Sequence, residues 1–215
     1  FLNRTEWPEN EEVLVVEWFQ SSHSPSTQTW IPPEGEGLPR VDGVYEQLLK
    51  SEERIFVGSY PSRLPEPVDA SIARASVAVG RVLQKLGYVG RCSFDFVVGG
   101  GEEGEWDARM IECNGRWGGT STPMQFVDRL VGGERPPYVA MDFVHPDLVG
   151  AEFPEILEAT EDHWYDPSTG GGRFVFYNVG PLDKSGKLDV ISFGDDIEDA
   201  RKGTKEILPD LLGLS

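Results

Sequence analysis

Residues 90–119 (GRCSFDFVVGGGEEGEWDARMIECNGRWGG) carry the densest chemistry in the chain. Two β-patterned runs flank a turn-rich GGGEEGE, the pattern of a hairpin with a loose loop. With the hairpin centred in that loop, Asp95 falls opposite Glu112. Asn114 falls opposite Ser93 on the same face, by the two-residue period of a strand. Arg91 and Arg116 share that face in the same register. Two carboxylates opposed across a ladder repel each other. A sheet keeps such a pair when a cation lies between them or when one is protonated. Asp, Glu and Asn offer only oxygen ligands, a set that suits Mg²⁺ completed by waters and phosphate oxygens. The two arginines suit phosphate or carboxylate groups beside it. In so acidic a chain, a merely solvated acidic face is the competing reading.

The other face of the same hairpin reads as core: Phe94, Phe96 and Val98 on one strand, Ile111 and Cys113 on the other. Cys92 and Cys113 both fall on it as diagonal neighbours, ~7–8 Å apart, which favours buried free thiols over a disulfide. His23, His145 and His163 show no metal-ligand spacing. No Ser-His-Asp or Cys-His set stands out.

These residues need elements to hold them. Residues 12–19 (EVLVVEWF) and 27–31 (TQTWI) read as strands, 44–50 as a short helix and 55–57 as a short strand. Residues 69–86 form the clearest helix, with Asp69 as its cap, Ile72, Ala75, Val79, Val82, Leu83 and Leu86 at helical spacing, and Gly87 as its stop. A second helix follows the hairpin at 121–131. Ser121 or Thr122 caps it, Pro123 stands near its start and Gly132-Gly133 end it. Residues 138–144 read as helical and 146–172 as loop. Residues 173–177 and 187–193 read as a second hairpin, and 197–208 as a final helix.

The chain has 215 residues with 19 Lys+Arg against 37 Asp+Glu, a net charge of −18. That balance gives no electrostatic footprint for duplex nucleic acid or anionic lipid. Its longest apolar runs fall far below the ~18 residues of a membrane span. At 39% hydrophobic and 11% aromatic, it can bury a core. Two cysteines and no signal peptide point to a reducing, cytoplasmic compartment. The chain begins with Phe, and a strand follows within a dozen residues, which reads as part of a longer polypeptide.

Residues 111–125 (IECNGRWGGTSTPMQ) resemble the C-terminal signature of the ATP-grasp superfamily: a strand ending in Glu-x-Asn, an Arg two residues on, a Gly or polar loop, then a helix. Residues 87–98 (GYVGRCSFDFVV) resemble the preceding family strand, which carries an acidic metal ligand. Residues 12–19 look like the hinge strand that meets adenosine. The order of elements matches over roughly residues 10–145. The tail resembles, loosely, the peptide-ligase branch that makes pheganomycin-type peptides.

The resemblance implies an α+β fold: an ATP-grasp-like antiparallel sheet with flanking helices over residues 1–145, and a small hairpin-helix appendage, a lid or subdomain, over 146–215. It implies ATP and Mg²⁺ as cofactors. Asp95, Glu112 and Asn114 would bind the metal that bridges the phosphates. Arg116 would face the transferring phosphoryl group or the substrate carboxylate, with Arg91 as a less direct catalytic candidate two residues from the family position, where this chain has Ser93. Glu17, with the backbone of Trp18 and Phe19, would hold adenine or ribose. The implied activity is ADP-forming carboxylate–amine ligation, of a peptide or amino acid, through an acyl phosphate. Expected partners are ATP, a small carboxylic acid and an amine, with neither nucleic acid nor membrane; a homodimer stays open.

One departure stands out. No Lys precedes Lys50, and the family's upstream half, with its phosphate-contacting lysines and Gly-rich loop, has no counterpart here. The chain then supplies the metal half of a two-jawed cleft, the other half being its expected partner, and is expected to be inactive alone. Two rivals remain: a non-catalytic ATP-grasp relative that senses nucleotide or assembles others, and a Ca²⁺-binding α+β module.

Overall fold

The computed structural model describes residues 18–50, 55–100 and 105–214. Of the expected first strand, residues 12–17, Glu17 among them, lie outside the described residues. The chain order is β1 (Pro25–Ile31), β2 (Arg40–Lys50), β3 (Ile55–Pro61), α1 (Glu66–Lys85), β4 (Gly90–Gly100), β5 (Trp106–Asn114), α2 (Ser121–Val131) and β6 (Tyr138–Val144). There follow α3 (Phe153–Thr160), β7 (Phe174–Asn178), α4 (Leu182–Ser185), β8 (Lys187–Phe193), α5 (Ile197–Lys202), a π-helical turn (Gly203–Ile207) and α6 (Leu208–Leu211). The strands form one antiparallel sheet in the order β5-β4-β1-β2-β3-β6-β8-β7.

One face of the β4 end lies under α1. Val68 and Ile72 of the helix bury against Ile31, Cys92, Phe94, Phe96 and Val98, the burial that makes an amphipathic helix stable in water. The helix starts three residues earlier than its apolar spacing suggests. Pro65 holds the N-cap position and Asp69 lies inside the first turn, where its carboxylate accepts from the Ser62 hydroxyl at 2.8 Å. The opposite face lies partly under α2, whose Met124 and Val127 pack on Tyr45, Tyr138, Ala140 and Ile191. Gly132 ends α2 in the left-handed conformation, φ 63°. Because α2 covers only the β2–β6–β8 stretch, the β5–β4–β1 end of that face stays open.

The two halves of the sheet meet narrowly. β3 and β6 share only the pairs Gly58–Met141 and Ser59–Ala140, whereas β6 and β8 pair over seven residues. The C-terminal hairpin expected at 173–177 and 187–193 forms as β7 and β8 and extends the main sheet. Beneath it Phe143, Leu148, Ile156, Leu182, Leu188 and Leu208 form a second core.

Several expectations are corrected. Residues 44–50 belong to β2 and 138–144 to β6, so both are strands. Short apolar runs fit either period, and the pairing available from neighbouring strands decides. The stretch 146–172 holds α3, opened by a capping box between Glu152 and Glu155. Ile111 is 62% exposed, because the register slips between Asp95 and Phe96. Glu112 faces Asp95 and Met110 faces Phe96, leaving Ile111 as the extra residue of a bulge. Met110 packs on the core in its place.

The cysteines differ too. Cys92 is buried, Cys113 is exposed, and both are free with sulfurs 3.8 Å apart. Burial first, and then Cys113, pushes the Cys92 thiol up to about 12. Alkylation of the folded protein at mildly alkaline pH is therefore expected to label Cys113 and spare Cys92. Peptide mass mapping checks this, and equal labelling of both would contradict the packing.

Candidate active site

The bulge leaves the register of the acidic pairs intact. Asp95 stands opposite Glu112, and Ser93 opposite Asn114. On its other side, β4 pairs with β1, bringing Ser26 opposite Asp95 and Gln28 opposite Ser93. β1 runs through the sheet almost wholly buried, yet it is built of polar residues: Ser26, Thr27, Gln28 and Thr29 are each at most 4% exposed. Thr27 faces α1 and meets the Ser76 hydroxyl at 3.0 Å. Ser26 and Gln28 face the open side.

A cleft of about 430 Å³ occupies that side, within the range of small-molecule sites. Its polar lining includes Gln28, Gln47, Asp95, Glu112, Asn114 and Arg116, and the loop Gly118-Gly119-Thr120 closes one end. Asn114 links the charges: its Nδ2 donates to Asp95 Oδ2 at 3.2 Å, and its Oδ1 accepts from Arg116 at 3.1 Å. Burial raises the Asp95 carboxyl above its ordinary range; the Ser26 hydrogen bond lowers it, the Glu112 charge raises it further, and Gln47 and Arg116 pull it down. An ionised Asp95 therefore benefits from a cation placed beside Glu112.

The loop after β5 is pinned. The Ser121 hydroxyl donates to Gln28 Oε1 at 2.6 Å and accepts from the Gly118 N–H at 3.1 Å. Trp117 Nε1 donates to the Thr122 hydroxyl at 2.8 Å. Ser121, expected as a cap, instead ties the start of α2 to the central strand, and Thr120 holds the N-cap position.

Asp95, Glu112, Asn114 and Arg116 thus line one cleft. Arg91 does not join them: its guanidinium pairs with Asp42 at 2.5 Å, lies 5.9 Å from the Trp30 ring and is 8% exposed. It is spent on holding β4 to the β2 side. Phe19 packs on the hairpin, with the Arg109 guanidinium 4.2 Å above its ring. Ser22 and His23 bond to Val98, which carries the incoming chain along β4. Trp18 is 69% exposed. Among the lining residues that escaped sequence reasoning are the polar strand residues Ser26, Gln28 and Gln47. A run of polar residues inside a strand was the available signal for the first two. Gln47 was hidden because its segment reads as a helix.

The donor set fits Mg²⁺. Among the described residues no group of three His, Cys, Asp or Glu side chains gathers. Two carboxylates and one amide match an ion that keeps waters and takes phosphate oxygens from its substrate.

No protein-family model matches the sequence, and no curated protein does. Solved structures do match by shape. The chain shares the ATP-grasp fold, and its structural neighbours include N5-carboxyaminoimidazole ribonucleotide synthetases. The Aspergillus clavatus synthase, solved with ADP and 5-aminoimidazole ribonucleotide, superposes with a TM-score of 0.55 at 10% identity, over 91% of this chain and 52% of that one. The Thermus thermophilus synthetase gives 0.55 at 15% identity, over 90% and 52%. The Aquifex aeolicus phosphoribosylaminoimidazole carboxylase ATPase subunit gives 0.54 at 14%, over 91% and 57%. The chain therefore spans about half the length of these neighbours. No helix among the described residues is long and apolar enough to cross a membrane.

Proposed function

We propose that this chain supplies the metal–triphosphate side of the site of a cytoplasmic, ATP-dependent carboxylate–amine ligase. The observation that carries this reading is the linked set Asp95–Asn114–Arg116 with Glu112 opposite, lining one cleft. Neighbours of the same fold were solved with ATP or ADP, which supports a nucleotide as the ligand.

The roles follow from charge and position. Asp95, Glu112 and the Asn114 amide would hold Mg²⁺, which when bound neutralises phosphate charge. Arg116 would neutralise the group transferred to the substrate carboxylate, where phosphoryl transfer needs positioning and charge rather than a nucleophilic side chain. The Gly119 and Thr120 N–H groups, at the start of α2, would suit phosphate oxygens. Trp18 and Phe19 would meet the nucleoside, as would Glu17, which lies outside the described residues. The acyl phosphate formed would then take an amine, with a peptide or amino-acid product.

Among the described residues lining the cleft, Arg116 is the one cation. That favours keeping the non-catalytic reading as a second proposal, in which the chain binds nucleotide without turning it over.

Calorimetry separates the readings. Binding of Mg²⁺·ATP that EDTA abolishes supports the cleft assignment. Saturable Ca²⁺ binding without nucleotide, and none of Mg²⁺·ATP, would replace it with a plain metal module. Phosphate release with a panel of amino acids, by the protein completed with its expected upstream half, then distinguishes ligase from sensor.

A further inference from the structure

The cleft has two unlike sides. Strand order sets its acidic residues, on β4 and β5, apart from Leu49 of β2 and Phe56 of β3, with Ser26 and Gln28 of β1 between them. Leu49 and Phe56 pair directly across their ladder. They do so because the register slips: Leu48 faces Gly58 and Leu49 faces Phe56, which leaves Val57 as the extra residue of a bulge. Such bulges re-aim side chains and gather beside active sites. The result is an apolar wall that the protein itself leaves uncovered. Phe56 is 38% exposed and Leu49 is half-buried, and both line the cleft.

This wall is placed relative to the cation by the glycine loop. A side chain begun at Gly118 would lie 3.9 Å from Arg116 Nη1, and one begun at Gly119 would meet the Phe56 ring at 2.8 Å. Glycine at 119 therefore lets the loop backbone press on that ring. Consecutive residues are about 3.8 Å apart along a chain, so the guanidinium and the ring lie within about 12 Å of each other, a span that a short acyl chain bridges. Between them the lining is neutral, with Gln28 held by the Ser121 hydroxyl at 2.6 Å. Arg116, the one cation among the described lining residues, balances one carboxylate. A second carboxylate on the Leu49–Phe56 side would meet no partner among them, and an unpaired charge is costly against an apolar wall.

We infer that the cleft takes a monocarboxylic acid with an apolar body, its carboxylate at Arg116 and its body packed on Leu49 and Phe56. That this acid is the one activated rests on the ligase reading; the binding does not. Leu49 and Phe56 are then specificity-determining residues: they touch the part of the acid that does not react. Asp95, Glu112 and Asn114 stay with the metal on the other side of β1.

The chain is titrated with sodium acetate, butyrate, hexanoate and glutarate at constant ionic strength, and the backbone amide shifts of Phe56, Asn114 and Gly119 are followed by NMR. Each buried methylene strengthens binding about fourfold, so hexanoate is expected to bind about tenfold or more tightly than butyrate. Glutarate, which brings a second carboxylate to the apolar side, is expected to bind no better than acetate. Phe56→Ala is expected to weaken hexanoate about tenfold and acetate little, whereas Arg116→Gln weakens every acid alike. If Phe56→Ala does not fold, Leu49→Ala is read in its place. Absent shifts, equal affinity for acetate and hexanoate, glutarate binding as tightly as hexanoate, or an equal loss of acetate and hexanoate in Phe56→Ala would overturn the assignment. So would weakened Mg²⁺·ATP binding in that variant with hexanoate unchanged, which gives the ring to the nucleotide. Because the acids are titrated without ATP, failure here is distinguishable from failure of the nucleotide assignment, which the calorimetry reads.

Discussion

In the protein completed by its expected upstream half, Glu112→Gln is expected to lower ATP-dependent ligation by about 10³ while leaving the protein folded, a loss of the size seen when one charge-stabilising group is removed from a transfer reaction. Asn114→Ala should behave alike, since its amide joins Asp95 to Arg116. The two readouts should move apart. Glu112 lies on edge strand β5, exposed, and its charge raises the half-buried Asp95 carboxyl further. Removing that charge relieves repulsion, so the melting temperature holds or rises slightly as activity falls. The sign follows directly: a carboxyl raised by a like charge costs the folded state stability once pH is high enough to ionise it, and loss of that neighbour returns some of the cost. Phosphate release in the presence of the acid and amine, beside a thermal melt, checks both. Full turnover in either variant would remove these residues from the chemistry.

Gly58→Ala is expected to cost about 3 kcal/mol, the upper end of what overpacking costs. A Cβ at this position would meet Met141 Cβ at 2.6 Å and Met141 Cα at 2.7 Å, with the Ala140 carbonyl oxygen closer still. None of these is the far end of a flexible side chain. The contact is with backbone, at the junction where only two residue pairs join the halves of the sheet. The substitution therefore pushes apart β3 and β6 at their narrowest point. Urea denaturation followed by tryptophan fluorescence and by circular dichroism measures it. Loss of two-state behaviour, with the β6–β8–β7 half released first, is the expected form. A ΔΔG near zero would mean that the sheet slides to admit the methyl group, contradicting the close approach.

The acidic hairpin was readable before any coordinates because its information is local. Centring the hairpin on its glycine-rich segment assumes a register, and the strand pairing has it at Asp95–Glu112 and Ser93–Asn114. Side chains alternate strictly, so Asp95, Glu112, Ser93 and Asn114 had to share a face. The bulge at Ile111 escaped, since nothing in the alternation marks where one extra residue is absorbed. α1 was legible from its apolar residues at helical spacing, and α2 from Ser121, Thr122 and Pro123 at its start and Gly132-Gly133 at its end. β2 and β6 were not. Short apolar-rich segments fit either period, and what settled them was hydrogen bonding to strands distant in the chain.

Arg91 shows the same divide from the other direction. Its face was foreseen, but Asp42 reaches it from a strand two places away in the sheet and takes its charge.

The order of short-range chemistry, then, belongs to the sequence alone: an acidic chain, an acidic hairpin with an Arg-bearing glycine loop, and two amphipathic helices around it. Only the assembled sheet decided that Gln28 and Gln47 stand beside Asp95 and that Arg91 is occupied elsewhere. Each of these is a contact between strands far apart along the chain. Alternation says which way a side chain points, whereas strand order says what it finds there.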